Sequence, residues 1–470
     1  MPQSLHDTLP PLSEQLQTVI QDGWEQEVLS QLPADYEHQA RSTGAFVRVR
    51  GLASVADLLR GLLALVLCAS SLRHLGSWAV LIGLANLSHV AWHKRLRQAR
   101  PFLLWLLGEL LAVPAPAAPL STGRIVLVDA TRLKEPGGCG DDWRLHLGYD
   151  LVAGRLLDVK VSDQHTAEGF TLFDWQAGDL VVADRGYCRR GQLAFVLRAG
   201  AQLVVRLAVW QVPLLDAHGE PFDVLSWLTQ QGSGQHACSV AFEYEGRRFA
   251  GRLIACALPE EAAERARAKE RKKASKQQRQ LKEETLVLCG WLLLFTSVPT
   301  AQWSDEQVLA LYRARWQIEL VIKRMKQVLR LAQLRGKTAA TNEATILALL
   351  VAWALQQSEA AHARQRLTEA IEHGALSRSA PAASATPPSA GQHTVSSWTV
   401  TALSVQTLRL LVQGYWTFAR LRACLPYLQR YLCSRRRHRS HQESTIRQRL
   451  LVHLGHADVY ASLDSLCSSA

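Results

Sequence analysis

Two short apolar runs, each closed by a carboxylate, constrain this chain more than any other feature: Arg124-Ile-Val-Leu-Val-Asp-Ala130 and Asp179-Leu-Val-Val-Ala-Asp184. Short, β-branched and bounded by polar residues, each reads as a central strand buried on both faces. A carboxylate in such a place is costly to leave uncompensated. Either it caps a turn, as Asp184 before Arg185-Gly186 could, or it meets its counterpart around a shared cation.

The segments around these runs give an order. Trp143 to Leu151 and Arg155 to Asp163 read as a hairpin about the Ala153-Gly154 turn, and Thr166 to Phe173 as a helical stretch. Arg190 to Ala199 reads as a helix and Gln202 to Leu207 as another strand. Three antiparallel strands followed by two parallel ones reached through helices is the order of a ribonuclease-H-like α/β core, with a mixed five-stranded sheet. Residues 208–299 interrupt it with a β-rich insertion. There Ala237 to Tyr244 and Arg248 to Ala257 flank a Glu245-Gly246 turn, and Glu260 to Glu284 forms a basic helical run.

The expected domains are a helical N-terminal domain at 1–119, the first part of the core at 120–207, the insertion at 208–299 and the rest of the core at 300–373. A linker follows at 374–398, then a helical basic C-terminal region at 399–470. Pro114-Ala-Pro-Ala-Ala-Pro119 reads as a stiff linker, and the Ser/Ala/Pro-rich stretch from Gly374 to His393 as a loop without apolar period. The apolar run Gly61 to Ala69, read as the longest, is about half of what a membrane span requires. No membrane association is expected.

Lys and Arg number 53 against 41 for Asp and Glu, so the chain carries +12 and suits a polyanion. Nine scattered cysteines without a Cys-x-x-Cys pair exclude a zinc ribbon and argue against a disulfide framework. A reducing cytoplasm fits. His93, Lys94, Arg95, Arg97 and Arg100 fall on one helical segment behind Ser88, a candidate N-cap. Lys94, Arg95 and Arg97 could reach DNA from such a helix, or simply form its solvated face. Arg435-Arg-Arg-His-Arg439 is a second, weaker basic cluster.

The sharpest constellation lies on a helix expected from Ser304 to Leu334, opened by a capping box of Ser304 and Gln307. At about 100° per residue, Tyr312, Arg315, Glu319 and Lys326 share a sector of about 60°. One stripe presents a phenol, a guanidinium, a carboxylate and an ammonium. Taken alone it could be an ordinary surface helix with an Arg–Glu pair. If Glu319 approaches Asp129 and Asp184, three carboxylates without histidine or thiolate favour Mg²⁺, with Mn²⁺ as substitute.

Asp129-Ala-Thr131, Asp184-Arg-Gly-Tyr187 and Tyr312-x-x-Arg315-x-x-x-Glu319-x-x-x-x-x-x-Lys326 resemble the three catalytic motifs of insertion-sequence DDE transposases of the family-4 type. Ala130 stands where relatives commonly have Gly. The resemblance implies Asp129, Asp184 and Glu319 as catalytic metal ligands in a two-metal-ion mechanism, with Tyr312, Arg315 and Lys326 on the transposon end. It likens Trp291 to a tryptophan that stacks on a flipped-out base, although a Trp on an apolar strand is more often core.

The expected function is cleavage at transposon ends and strand transfer into target DNA, a cut-and-paste transposition. The partners would be double-stranded DNA with terminal inverted repeats, target DNA and a second copy in a synaptic homodimer. The resemblance also implies a hairpin intermediate. The setting would be a bacterial cytoplasm, nucleoid-associated on DNA. The alternatives are a nuclease of the same fold, or a catalytically inactive DNA-binding regulator of transposition.

Overall fold

The computed structural model describes residues 23–49, 51–68, 71–112, 123–137, 142–372 and 393–414, with short pieces at 418–419, 421–423, 425 and 433–435. The Pro114–Pro119 linker, the Ser/Ala/Pro-rich stretch up to residue 392 and all of the basic cluster but the backbone of Arg435 lie outside the described residues.

In chain order the N-terminal helices are α1 (Tyr36–Ser42), α2 (Val55–Leu67), α3 (Leu72–Leu81), α4 (His89–Gln98) and α5 (Arg100–Ala112). Strands β1 (Ile125–Leu133), β2 (Trp143–Asp150), β3 (Arg155–Asp163) and β4 (Leu180–Ala183) follow, then α6 (Arg190–Arg198) and β5 (Gln202–Arg206). Next come β6 (Leu214–Leu215), β7 (Pro221–Phe222), α7 (Val224–Thr229), β8 (Gln235–Tyr244), β9 (Arg247–Ala257), α8 (Glu260–Lys276), α9 (Glu283–Leu288) and β10 (Trp291–Thr296). The chain continues through α10 (Asp305–Ala314), α11 (Trp316–Val328), α12 (Ala339–Glu372), β11 (His393–Val395), α13 (Ser397–Gln413) and β12 (Cys433–Arg435).

Ten strands make one mixed sheet in the order β3-β2-β1-β4-β5-β10-β9-β8-β6-β7. β1 runs antiparallel to β2 and parallel to β4, and β4 runs parallel to β5. β10 then pairs antiparallel with β5, and β9 with β10, so the strands expected as an insertion extend the same sheet. The physical cause is the free edge of β5, whose backbone groups take Leu294, Phe295 and Thr296 as partners.

Alternating side chains explain why the central strands are apolar throughout. Ile125 and Leu127 join the core on one face of the sheet, while Val126 and Val128 join a separate core on the other. The first core also contains the N-terminal helices and α12, so the helical N-terminal block shares its interior with the sheet. Helix Ala339–Ala370 is apolar and long enough by composition to cross a membrane, but 78% of its most apolar window is buried inside the protein. It is a core helix here, longer than the Gly61 to Ala69 run that the sequence reading singled out.

Several expected bounds are corrected. Thr166 to Phe173 holds only a 3-10 turn at Phe170–Leu172, because the Gln192 amide oxygen accepts the N–H of Phe170 and Thr171. The basic run breaks after Lys276 at Gln278, whose φ is +52°, and restarts as α9. His93 to Gln98 is helical as expected, with Ser88 accepting from the Ala91 N–H, but Arg100 opens a new helix. The helix expected from Ser304 to Leu334 is two helices that meet at Arg315 and end at Val328. Its capping box of Ser304 and Gln307 is present.

Candidate active site

The register of the parallel strands sets the site. Val128 pairs with Ala183, so the next residues, Asp129 and Asp184, lie level on neighbouring strands. β1 does not end at Asp129, as the sequence suggested; it runs on to Leu133 against β2, while β4 stops at Ala183. Asp129 therefore stands where the cover from β4 ceases, and its carboxylate faces the gap. The 3-10 turn Arg185–Tyr187 carries the chain away from Asp184.

The paired helices α10 and α11 bring the third motif to this gap. The Tyr312 hydroxyl donates to Asp184 Oδ1 at 2.9 Å. Arg315, at the junction of the helices, donates to Glu319 Oε1 at 2.6 Å and lies 3.7 Å from Asp129 Oδ2. Lys326 Nζ donates to the Arg132 carbonyl of β1 at 3.1 Å. All four stripe residues thus point at β1 and β4. A tightened turn, in which the Ile318 N–H donates to the Arg315 carbonyl, keeps the stripe on one side across the break.

Burial drives the Asp129 carboxyl up to about 6; the Ala130 N–H and the Arg315 guanidinium oppose this, and the Glu319 and Glu168 carboxylates add to it. Burial also works against the charge of Asp184. There the Arg185 N–H, the Arg315 guanidinium and the Tyr312 hydroxyl prevail, and its pKa lies below the usual carboxylate value. Tyr312 is pushed well up by burial and by the Asp184 charge, so it stays a donor. Among the described residues no three His, Cys, Asp or Glu side chains stand in metal-binding geometry. Arg315 lies against two of the three acids in their place.

The other expected DNA contacts are more scattered. Trp291 opens β10 at the same end of the sheet, half-buried, with its ring edge-on to His236 at a centroid distance of 6.1 Å. Lys94 and Arg97 are exposed on α4, but Arg95 lies over the Phe46 ring at 5.9 Å and is half-buried. His93 is held by Thr341 of α12 at 3.0 Å.

Arg206 and Glu168 had no part in the sequence reading, and Tyr187 entered it only as the last residue of the Asp184-Arg-Gly-Tyr187 motif. Arg206 ends β5 beside Asp184 and lowers its pKa, and Gln202-Leu-Val-Val-Arg206 repeats the pattern of the other two strands with a cation at its end. That repeat was a usable signal. Glu168 reaches the site from a loop, with its carboxylate where a side chain at Gly186 would stand. Tyr187 is buried, its hydroxyl has no hydrogen-bond partner among the described residues, and Glu168 and Asp129 both act on it. Neither gave any periodic cue.

The family described as the transposase DDE domain matches residues 120–355, a span that contains every residue of this site. The protein InsL of insertion sequence element IS186A, from Escherichia coli strain K12, is 37% identical over 328 residues, covering 68% of this chain and 89% of the relative. The transposase of insertion sequence element IS421, from Escherichia coli, is 37% identical over 329 residues with the same coverage.

Proposed function

This chain belongs to the DDE-domain transposases of insertion sequences, enzymes acting on DNA phosphodiester bonds, and we propose that Asp129, Asp184 and Glu319 are its catalytic metal ligands. The observation that carries this reading is the level placement of Asp129 and Asp184 on adjacent parallel strands, bridged to the Glu319 helix by Tyr312 and Arg315.

The donor set fits a hard divalent cation. It is all oxygen, and the raised pKa of Asp129 indicates that the guanidinium at 3.7 Å leaves its charge undercompensated. Bound Mg²⁺, or Mn²⁺ in its place, would activate the attacking oxygen and stabilise the leaving one. The chain's own residues do the rest. Tyr312 holds Asp184 ionised and fixes its orientation through the hydroxyl. Arg315 pairs with Glu319 and only partly offsets the charge of Asp129 in the resting site, and its fork of donors suits a phosphate once DNA enters. Lys326 anchors α11 to β1 and lies on the rim, where a DNA strand would pass.

In this reading β3-β2-β1-β4-β5 is a ribonuclease-H-like core, and residues 208–299 are a β-rich insertion fused to its edge. Cleavage would be followed by joining of the 3′ ends to target DNA in a dimeric complex, with Trp291 stacking on a displaced base and Lys94, Arg95 and Arg97 gripping the duplex. Purified protein with its element's end DNA should nick in Mg²⁺ and join the ends to a supplied target duplex. Glu319→Gln should bind the same DNA and cut it at least about a hundredfold more slowly, a loss of the size expected for a group that stabilises charge in the transition state. Equal cutting would exclude the assignment.

A further inference from the structure

Helix α8 leaves the end of β9 on the same side of the sheet as the active site. Asp184 follows β4, Arg206 ends β5, Trp291 opens β10 and Ala257 ends β9, all at one edge by the observed register. From β1 to β9 is four strand spacings, or about 19 Å. Cys289, between the two regions, feels both Glu270 and Arg267 of α8 and Arg185 and Arg206 beside the site.

The charges of α8 are sorted by face. Arg267 pairs with Glu260 and Glu264, Arg271 with Glu264, and Lys273 and Arg279 with Glu270. Arg265 faces Glu261 at 3.8 Å. Lys269, Lys272 and Lys276 are exposed and have no carboxylate within ion-pair distance among the described residues. At about 100° per residue these three fall within about 60° of each other, and Ala263 and Ala274, which anchor the helix, point about 120–200° away. The lysines therefore face outward, in a row about 10 Å long.

We propose that Lys269, Lys272 and Lys276 form a rail for the phosphate backbone of the DNA duplex whose cut site lies at Asp129 and Asp184. The proposal rests on the transposase reading. Its carrier is charge complementarity on a helix that starts from the site's own edge of the sheet, four strands from β1. The contact is to backbone and so is independent of sequence.

The test uses the full chain and a fluorescent duplex of random sequence, with binding measured by anisotropy across salt concentrations. Lys269→Gln/Lys272→Gln/Lys276→Gln should flatten the slope of log K against log salt by about 2–3, since each phosphate contact contributes about 0.9. The triple Lys→Arg variant should restore the wild-type slope, and all three proteins should melt alike. A Gln variant with the wild-type slope, or an Arg variant as weak as the Gln variant, overturns the rail. Wild-type protein that cuts end DNA while sharing its slope with the Gln variant sinks the rail alone. Wild-type protein that neither binds nor cuts sinks the transposase reading with it.

Discussion

Two carboxylates on adjacent strands have been given opposite characters by their surroundings. Asp129 is half-buried with too little positive charge near it, and its folded pKa of about 6 exceeds the ordinary 3.8. An acid with a raised folded pKa costs stability above that pKa; the cost shrinks as pH falls from about 6 and is gone below 3.8. Asp129→Asn should therefore stabilise the metal-free protein at pH 8 by about 1–2 kcal/mol, seen as a higher melting temperature in EDTA, while abolishing cleavage. The gain should vanish near pH 4; a gain that persists there would mean that packing, and not charge, is its source. Asp184 is the reverse case. Its depressed pKa contributes stability above 3.8 that is lost as pH falls through the folded value, and the Tyr312 hydroxyl helps to hold it there. Tyr312→Phe should slow cleavage about tenfold, from loss of a hydrogen bond to a charged group, and move the acid limb of the pH–rate profile upward. An unmoved limb would show that Tyr312 does not tune Asp184.

At the scale of elements, the sequence was informative wherever a side chain had to obey a simple period. The strand ending at Asp184, both hairpins, the Ser304 cap and the shared face of Tyr312, Arg315, Glu319 and Lys326 were all readable. Element ends were not, because tertiary contacts decide them. Gln192 replaced an expected helix by one turn, and Arg315 tightened another where it reaches two carboxylates. Helix α12 was not delimited for a different reason: its stretch from Thr341 to Gln356 is buried nearly all round, so it shows no polar face there to give it a period. Close helix contacts were equally invisible. Gly61 of α2 lies against the fully buried Trp92 of α4, where an added methyl would overlap the indole. Gly61→Ala should cost about 1–2 kcal/mol in denaturant melts, since overpacking outweighs the better helix propensity of Ala. A stabilised variant would mean that the two helices can separate without penalty.

For the whole molecule, the candidate site was legible because it joins two carboxylates that follow apolar runs, Asp129 and Asp184, to one face of a helical segment that carries Glu319. The pairing of β10 with β5 was not, because it depends on a free edge that no local pattern announces. The described N-terminal helices likewise read as a separate unit, yet Leu58 and Leu62 of α2 share one interior with Leu347 and Leu355 of α12. A continuous hydrogen-bonded sheet from β1 to β9 behaves as a ruler, not a hinge: the end of β9, from which α8 departs, is held four strand widths from Asp129. A duplex of any sequence that reached from Asp129 past the end of β9 would have to meet that fixed width, or bend to do so.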